Sequence, residues 1–232
     1  YHTEFQAGST SSSGNITDSE QNATRISDRI AATISGFDLE KTKTFNRKYY
    51  HEYWFLWKET ALILNYSNNT WYTYTNMPFV SMLEVDQRTF GFTQEGKIKE
   101  VSRSYRNDDG EEISAYAATG AMDFDRDWQL KYSPVIFVAI KPENNARITV
   151  TAESNRRSDY PDKVVAASFA SFTNVDFNHW SFLTNRKPQV ERLKLKVKKA
   201  TFYRLIFKSD SASATATVLE TDVQLRYAGN VK

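Results

Sequence analysis

Cysteine is absent from this chain of 232 residues, which removes disulfide frameworks, thiolate nucleophiles and Cys-ligated zinc together. Histidine is nearly as scarce. His2, His51 and His179 are the 3 present, they lie far apart, and none belongs to a spaced metal motif. His51 and His179 each sit beside aromatics and read as packing or capping residues. With 8 Gly, the chain has no phosphate-cradling glycine loop and no Gly-flanked nucleophile elbow. No apolar run reaches the ~18 residues of a membrane helix, and the N-terminus lacks the basic-then-apolar order of a signal peptide. Charge of one sign is missing too: 30 Lys and Arg against 28 Asp and Glu leave +2, so any electrostatic function has to be local. These absences predict a soluble protein that is not an enzyme, with no catalytic residue, no metal and no cofactor.

What is present points to strands. Aromatics make up 14% of the chain, with 13 Tyr and 15 Phe, and Val, Ile and Thr are plentiful. These residue types fit a pleated, half-buried surface, so the expected class is all-β. The first residue is Tyr1 rather than Met, and Gly8 to Gly14 is a Ser/Thr/Gly tract. The expectation is a processed product or one part of a longer polypeptide.

The pattern divides the chain into three. Residues 1–48 are expected to form a polar segment containing a short helix over about 18–35, with Asp18 as N-cap, Ile26, Ile30, Ala31 and Ile34 as its apolar stripe and Gly36 as its stop. Residues 49–106 read as an antiparallel meander. Its strand-like runs are Tyr50 to Trp57, Ala61 to Tyr66, Trp71 to Tyr74, Phe79 to Val85, Thr89 to Phe92 and Ile98 to Ser102, with a tight hairpin at Gln94-Glu95-Gly96-Lys97. Such a meander matches one propeller blade or one sheet of a sandwich. After the polar break Arg106 to Glu111, residues 107–232 read as a β-sandwich or jelly-roll domain. Its runs are Ile113 to Thr119, Pro134 to Lys141, Arg147 to Glu153, Lys163 to Phe169, Arg192 to Val197, Thr201 to Lys208 and Ala216 to Tyr227.

Four features bear on function. Asp123-Phe124-Asp125-Arg126-Asp127 has the alternation that opens a calcium loop, but Trp128 stands where the loop needs Gly and Pro134 where it needs a bidentate Glu. The expectation is a solvated strand face, or a loop tied to Arg126. In Arg192-Leu193-Lys194-Leu195-Lys196-Val197-Lys198, period two turns Leu193, Leu195 and Val197 inward and lines Arg192, Lys194, Lys196 and Lys198 on the other face. That basic stripe suits an interface or a lumen, and equally a solvated edge guarded against aggregation. Trp128, Tyr160 and Trp180 are candidate interface aromatics, with core packing as the plainer reading. Asn15, Asn22, Asn65 and Asn68 begin glycosylation-type triplets, a cheap match in an Asn/Thr-rich chain.

The order Tyr53-Trp54-Phe55-Leu56-Trp57, Ala61 to Tyr66, Asn69-Thr70-Trp71-Tyr72 and Phe90-Gly91-Phe92-Thr93-Gln94-Glu95-Gly96-Lys97-Ile98 resembles a propeller-like repeat. Followed by Gly120 to Asp125 and the Arg192 to Lys208 strands, it resembles the C-terminal half of tail-hub or nozzle proteins, structural components of short-tailed bacteriophage virions and related prophages. The resemblance spans roughly residues 49–232. It implies a homo-oligomeric ring that extends the DNA channel, partners among tail and portal proteins, transient passage of DNA, and a place in the virion tail for a protein that is soluble before assembly. Such hubs carry several blades, whereas this chain holds at most one. The other class that the residues allow is a carbohydrate-binding or adhesin-type module. A third is a glycan-cleaving enzyme with carboxylates near Asp123 to Asp127.

Overall fold

The structure is a computed structural model that describes residues 2–4, 22–24, 30–143, 145–167 and 187–230. The fold is all-β, built from several antiparallel sheets, and the chain divides into two compact units, Tyr1–Arg103 and Ser104–Lys232.

In the first unit, β1 (His2–Glu4) pairs antiparallel with β2 (Asn22–Thr24). Residues 22–24 are therefore strand, which corrects the expected helix over 18–35. The described helix is α1 (Ala31–Ser35). Its N-cap is Ile30, which offers no side-chain acceptor, and β-branched Thr33 and Ile34 disfavour extension. Gly36 does end it, while Asp18 and Ile26 lie outside the described residues.

A four-stranded meander follows: β3 (Lys43–Arg47), β4 (Glu52–Trp57), β5 (Thr60–Asn65) and β6 (Thr70–Tyr74). Then β7 (Phe79–Val85), β8 (Arg88–Thr93) and β9 (Ile98–Val101) form a separate three-stranded sheet. The turns follow from their residues. Asp86 and Gln87 both have positive φ, 48° and 67°, as a two-residue hairpin needs. Gly96 has φ 79°, and its N–H donates to the Thr93 carbonyl at 3.1 Å, closing the expected hairpin. Asn65 and Asn68 build turns as well, each accepting from the backbone N–H two residues on, at 3.0 and 3.2 Å.

Trp54, Leu56, Ala61, Ile63 and Phe79 form one buried core, with Phe45, Tyr72, Met77, Met82 and Val101 against it. Strand β4 alternates, turning Glu52, Trp54 and Leu56 inward and Tyr53, Phe55 and Trp57 to the half-buried second face. The six runs expected from Tyr50 to Ser102 are thus strands. They divide between two sheets because β6 and β7 do not pair, the chain passing between them at Asn76, with φ 59°, and Pro78.

The second unit opens with a small hairpin, β10 (Asn107–Asp108) and β11 (Glu111–Glu112), turned at Asp109 and Gly110 with φ 51° and 95°. A four-stranded sheet has the order β12-β19-β15-β16, with β12 at Ser114–Ala118, β15 at Ala146–Ser154, β16 at Lys163–Ala167 and β19 at Tyr203–Asp210. The remaining strands are β13 (Gln129–Ser133), β14 (Ile136–Ile140), β17 (Gln189–Leu193), β18 (Val197–Ala200), β20 (Val218–Val223) and β21 (Arg226–Asn230). They form two three-stranded sheets, β18-β13-β21 and β17-β14-β20.

The shared order reveals one sheet bent across its middle. All three of its lines of chain break at the same level, at Pro134-Val135, Lys194-Leu195-Lys196 and Gln224-Leu225. Pro134 has no N–H for a ladder, and Lys196 adopts the left-handed region at φ 55°. Two bonds stitch the bend: Lys196 N–H to the Pro134 carbonyl at 3.4 Å, and Gln224 N–H to the Val135 carbonyl at 3.1 Å. The expected continuous strands Arg192 to Val197 and Ala216 to Tyr227 are corrected accordingly, each being two strands.

The four-stranded sheet and the bent sheet share a single core. It includes Ile136, Val138 and Ile140 of β14, Val150 and Ala152 of β15, Val165 of β16, Leu193 and Val197 of β17 and β18, and Tyr203 and Leu205 of β19. Successive strands mostly alternate between the two sheets, so nearly every pairing is between segments remote in sequence.

Candidate functional site

The most concentrated chemistry in the first unit is a buried charge cluster at Glu52. Alternation along β4 puts this carboxylate in the core beside Trp54, where only 1% of it is exposed. Every approach to it is occupied. Oε2 accepts from Trp54 Nε1 at 2.9 Å and Arg47 at 3.4 Å, and Oε1 accepts from the Tyr72 hydroxyl and the Arg103 guanidinium. Arg47, itself buried, also donates to Thr89 Oγ1 at 2.7 Å and the Val101 carbonyl at 2.9 Å. Its guanidinium lies 3.8 Å from the centre of the Tyr50 ring, and that of Arg103 lies 4.7 Å from it.

Burial by itself would raise the Glu52 carboxyl, but hydrogen bonds from Tyr72, Arg103 and Trp54 outweigh it and hold the group below its ordinary range. Burial and the Glu52 carboxylate together raise Tyr72. A carboxylate held ionised, with both oxygens engaged, is a clamp between β3, β4, β6 and the three-stranded sheet. Its oxygens already serve four donors, which suits holding sheets together rather than moving protons.

In the second unit, Asp123 to Asp127 is a loop and not the strand face considered from the sequence. Phe124 and Asp125 both take left-handed φ, 54° and 59°, and the Asp125 N–H donates to Asp123 Oδ1 at 3.1 Å. The loop closes over Lys131, whose side chain is fully buried in β13. Its ammonium donates to the carbonyls of Arg126, Gln129 (3.1 Å) and Thr201 (2.6 Å). Burial lowers the Lys131 ammonium, opposed by the nearby charges of Asp123 and Asp127. The Arg126 side chain donates to Gln129 Oε1 at 3.2 Å and stacks on Tyr227 at 4.6 Å. Among the described residues no group of three or more His, Asp and Glu is arranged to hold a metal ion.

The basic stripe keeps its alternation through the bend. Leu193, Leu195 and Val197 are buried, and Arg192, Lys194, Lys196 and Lys198 are exposed. Arg192 belongs to β17 and Lys198 to β18, so the stripe runs along one whole edge of the bent sheet.

The three aromatics differ. Trp128 is 58% exposed in the turn before β13. Tyr160 is corrected to a core residue: it is buried, its carbonyl accepts from Thr151 Oγ1 at 2.8 Å, and Arg157 covers its ring at 5.0 Å. Trp180 and His179 lie outside the described residues. His51 caps the 3-10 turn Lys48–Tyr50 in the left-handed region and meets Tyr66 edge-on at 5.6 Å.

Sequence reasoning missed the Glu52 cluster and Lys131. The signal for the first was available: Glu52 falls on the same period-two face as Trp54 and Leu56. A second missed feature is an open groove of about 940 Å³ in the first unit, bordered by Lys41, Lys43, Lys58, Lys97 and Lys99 together with Glu59 and Glu95. Glu95 takes up one lysine, Lys97, at 2.8 Å. Compared with known proteins, the chain matches no family model, and no curated protein matches it. Among the described residues no helix is long and apolar enough to cross a membrane.

Proposed function

We propose that this chain is a non-catalytic structural module that works by assembly, of the tail-hub or nozzle type found in short-tailed bacteriophage virions. In this reading identical copies form a ring that extends the DNA channel, with tail and portal proteins as neighbours. The observation that carries it is the strand order of the second unit. We read the order β12-β19-β15-β16 facing β17/β18-β13/β14-β20/β21 as jelly-roll-like, on the strand orders alone. Jelly rolls recur in viral shells and in lectins. The Glu52 clamp supports the same reading, because an assembly piece needs sheets held rigid against each other. The meander of the first unit is read as blade-like on its up-and-down order.

A second reading, a carbohydrate-binding or adhesin module, is favoured by the exposed Trp128 ring, since sugar-binding β-modules stack sugars on aromatics and jelly rolls occur among lectins. Negative-stain microscopy of the purified chain separates the two. Closed rings are the expected result; uniform monomers whose melting temperature rises with an added glycan would replace the first reading by the second.

A further inference from the structure

The bent sheet of the second unit ends in two strand lines of opposite charge. On one side lie β17 and β18, with Arg192, Lys194, Lys196, Lys198 and Lys199 exposed against a single exposed acid, Glu191. On the other lie β20 and β21, with Glu220 and Asp222 exposed on β20 and one base, Arg226, exposed on β21. Both lines are outermost in their sheets among the described residues, and an outer strand is where sheets of separate molecules meet.

The register aligns these charges. Phe137 of the central strand stands opposite Arg192 on one side and opposite Asp222 on the other. Residues directly opposite in an antiparallel ladder project to the same face. Arg192 and Asp222 therefore occupy one level and one face of the sheet, at its two ends. Because β17 and β20 each run antiparallel to β14, they also run in the same direction. A copy set beside another without inversion brings Asp222 of one next to Arg192 of the other.

We propose that copies of this chain join head to tail through this sheet, the acidic β20 edge of each meeting the basic β17–β18 edge of the next. The inference rests on the assembly reading above and names its interface. A contact between two different edges leaves each pair with the same free ends as a single copy, so addition continues until rotation closes a ring. Opposite signs select this order, because acidic-to-acidic and basic-to-basic encounters repel. The basic stripe then acts as one half of a self-recognition surface.

The test uses the full chain and two variants, Arg192→Glu and Asp222→Arg, followed by sedimentation velocity at low salt. Each variant alone turns the Arg192–Asp222 contact between copies into a like-charge pair and should assemble at least about tenfold more weakly than the wild type. An equimolar mixture restores both complementary contacts between alternating copies and should recover wild-type assembly, which a misfolded variant could not do. If the wild type assembles and each variant assembles equally well, the interface lies elsewhere and this inference fails while the assembly reading stands. Variants that are blocked alone and stay blocked when mixed overturn it too. A wild type that is monomeric at every concentration overturns both.

Discussion

Glu52 shows how one residue can hold two sheets together. Its carboxylate is desolvated, and four donors compensate for that. Replacing it by Gln removes the charge that Arg47 and Arg103 face, leaving a buried guanidinium without its counter-ion. Glu52→Gln should destabilise the first unit by about 3–5 kcal/mol in urea unfolding followed by tryptophan fluorescence. The pH dependence has a defined sign. The folded carboxyl lies below its ordinary value of 4.5, so its contribution is complete above that value and is lost as pH falls through the lower folded one. The gap in urea midpoint between wild type and Glu52→Gln should therefore narrow on going from neutral pH into that acid range; a gap constant with pH would contradict the cluster. Tyr203 is the opposite case. Its hydroxyl is buried beside Ser133 without a hydrogen bond of normal geometry among the described residues, and burial pushes it up to about 12. Tyr203→Phe removes an unmet donor and should leave stability unchanged or raise it by about 1 kcal/mol in the same assay.

Among the elements, β8 depends on a missing side chain. Gly91 lies opposite Met82 of β7, and a Cβ there would stand 2.5 Å from the Phe79 ring, which is part of the core. Gly91→Ala should cost about 1–3 kcal/mol through overpacking, and Phe79→Leu in the same chain should recover part of it, as thermal melts would show. Strands β4 to β9 were legible in the sequence because aromatic runs alternate between turn-forming residues such as Asn65, Asn68 and Gly96, whereas β3, with Phe45 alone among polar residues, falls in the segment read as polar. Strand β13 was not, since Lys131 at its centre reads as surface until Arg126, Gln129 and Thr201 supply its carbonyl partners. The bend was hidden for a related reason: Arg192 to Lys198 keeps a strict alternation of apolar and basic residues across a break that arises in a neighbouring line of chain, at Pro134. The basic stripe was visible as a pattern, whereas its acidic counterpart at Glu220 and Asp222 becomes apparent only through the shared register with Phe137.

At the scale of the whole molecule, the proposed head-to-tail contact treats the second unit's bent sheet as two-ended, with the charge on its ends as the reason that copies would associate. Exposed ion pairs are screened over a Debye length of about 8 Å at physiological salt, so association should weaken as salt rises. Apolar association would strengthen instead under excluded salts such as sulfate. The most direct measurement is native mass spectrometry of the wild-type chain from volatile buffer of low ionic strength across a hundredfold range of concentration, on the order of the span that separates weak from firm association. The account predicts one discrete multiple of the chain mass that persists on dilution, as a closed ring requires. A monomer at every concentration, or an open series of sizes growing without limit, would contradict it.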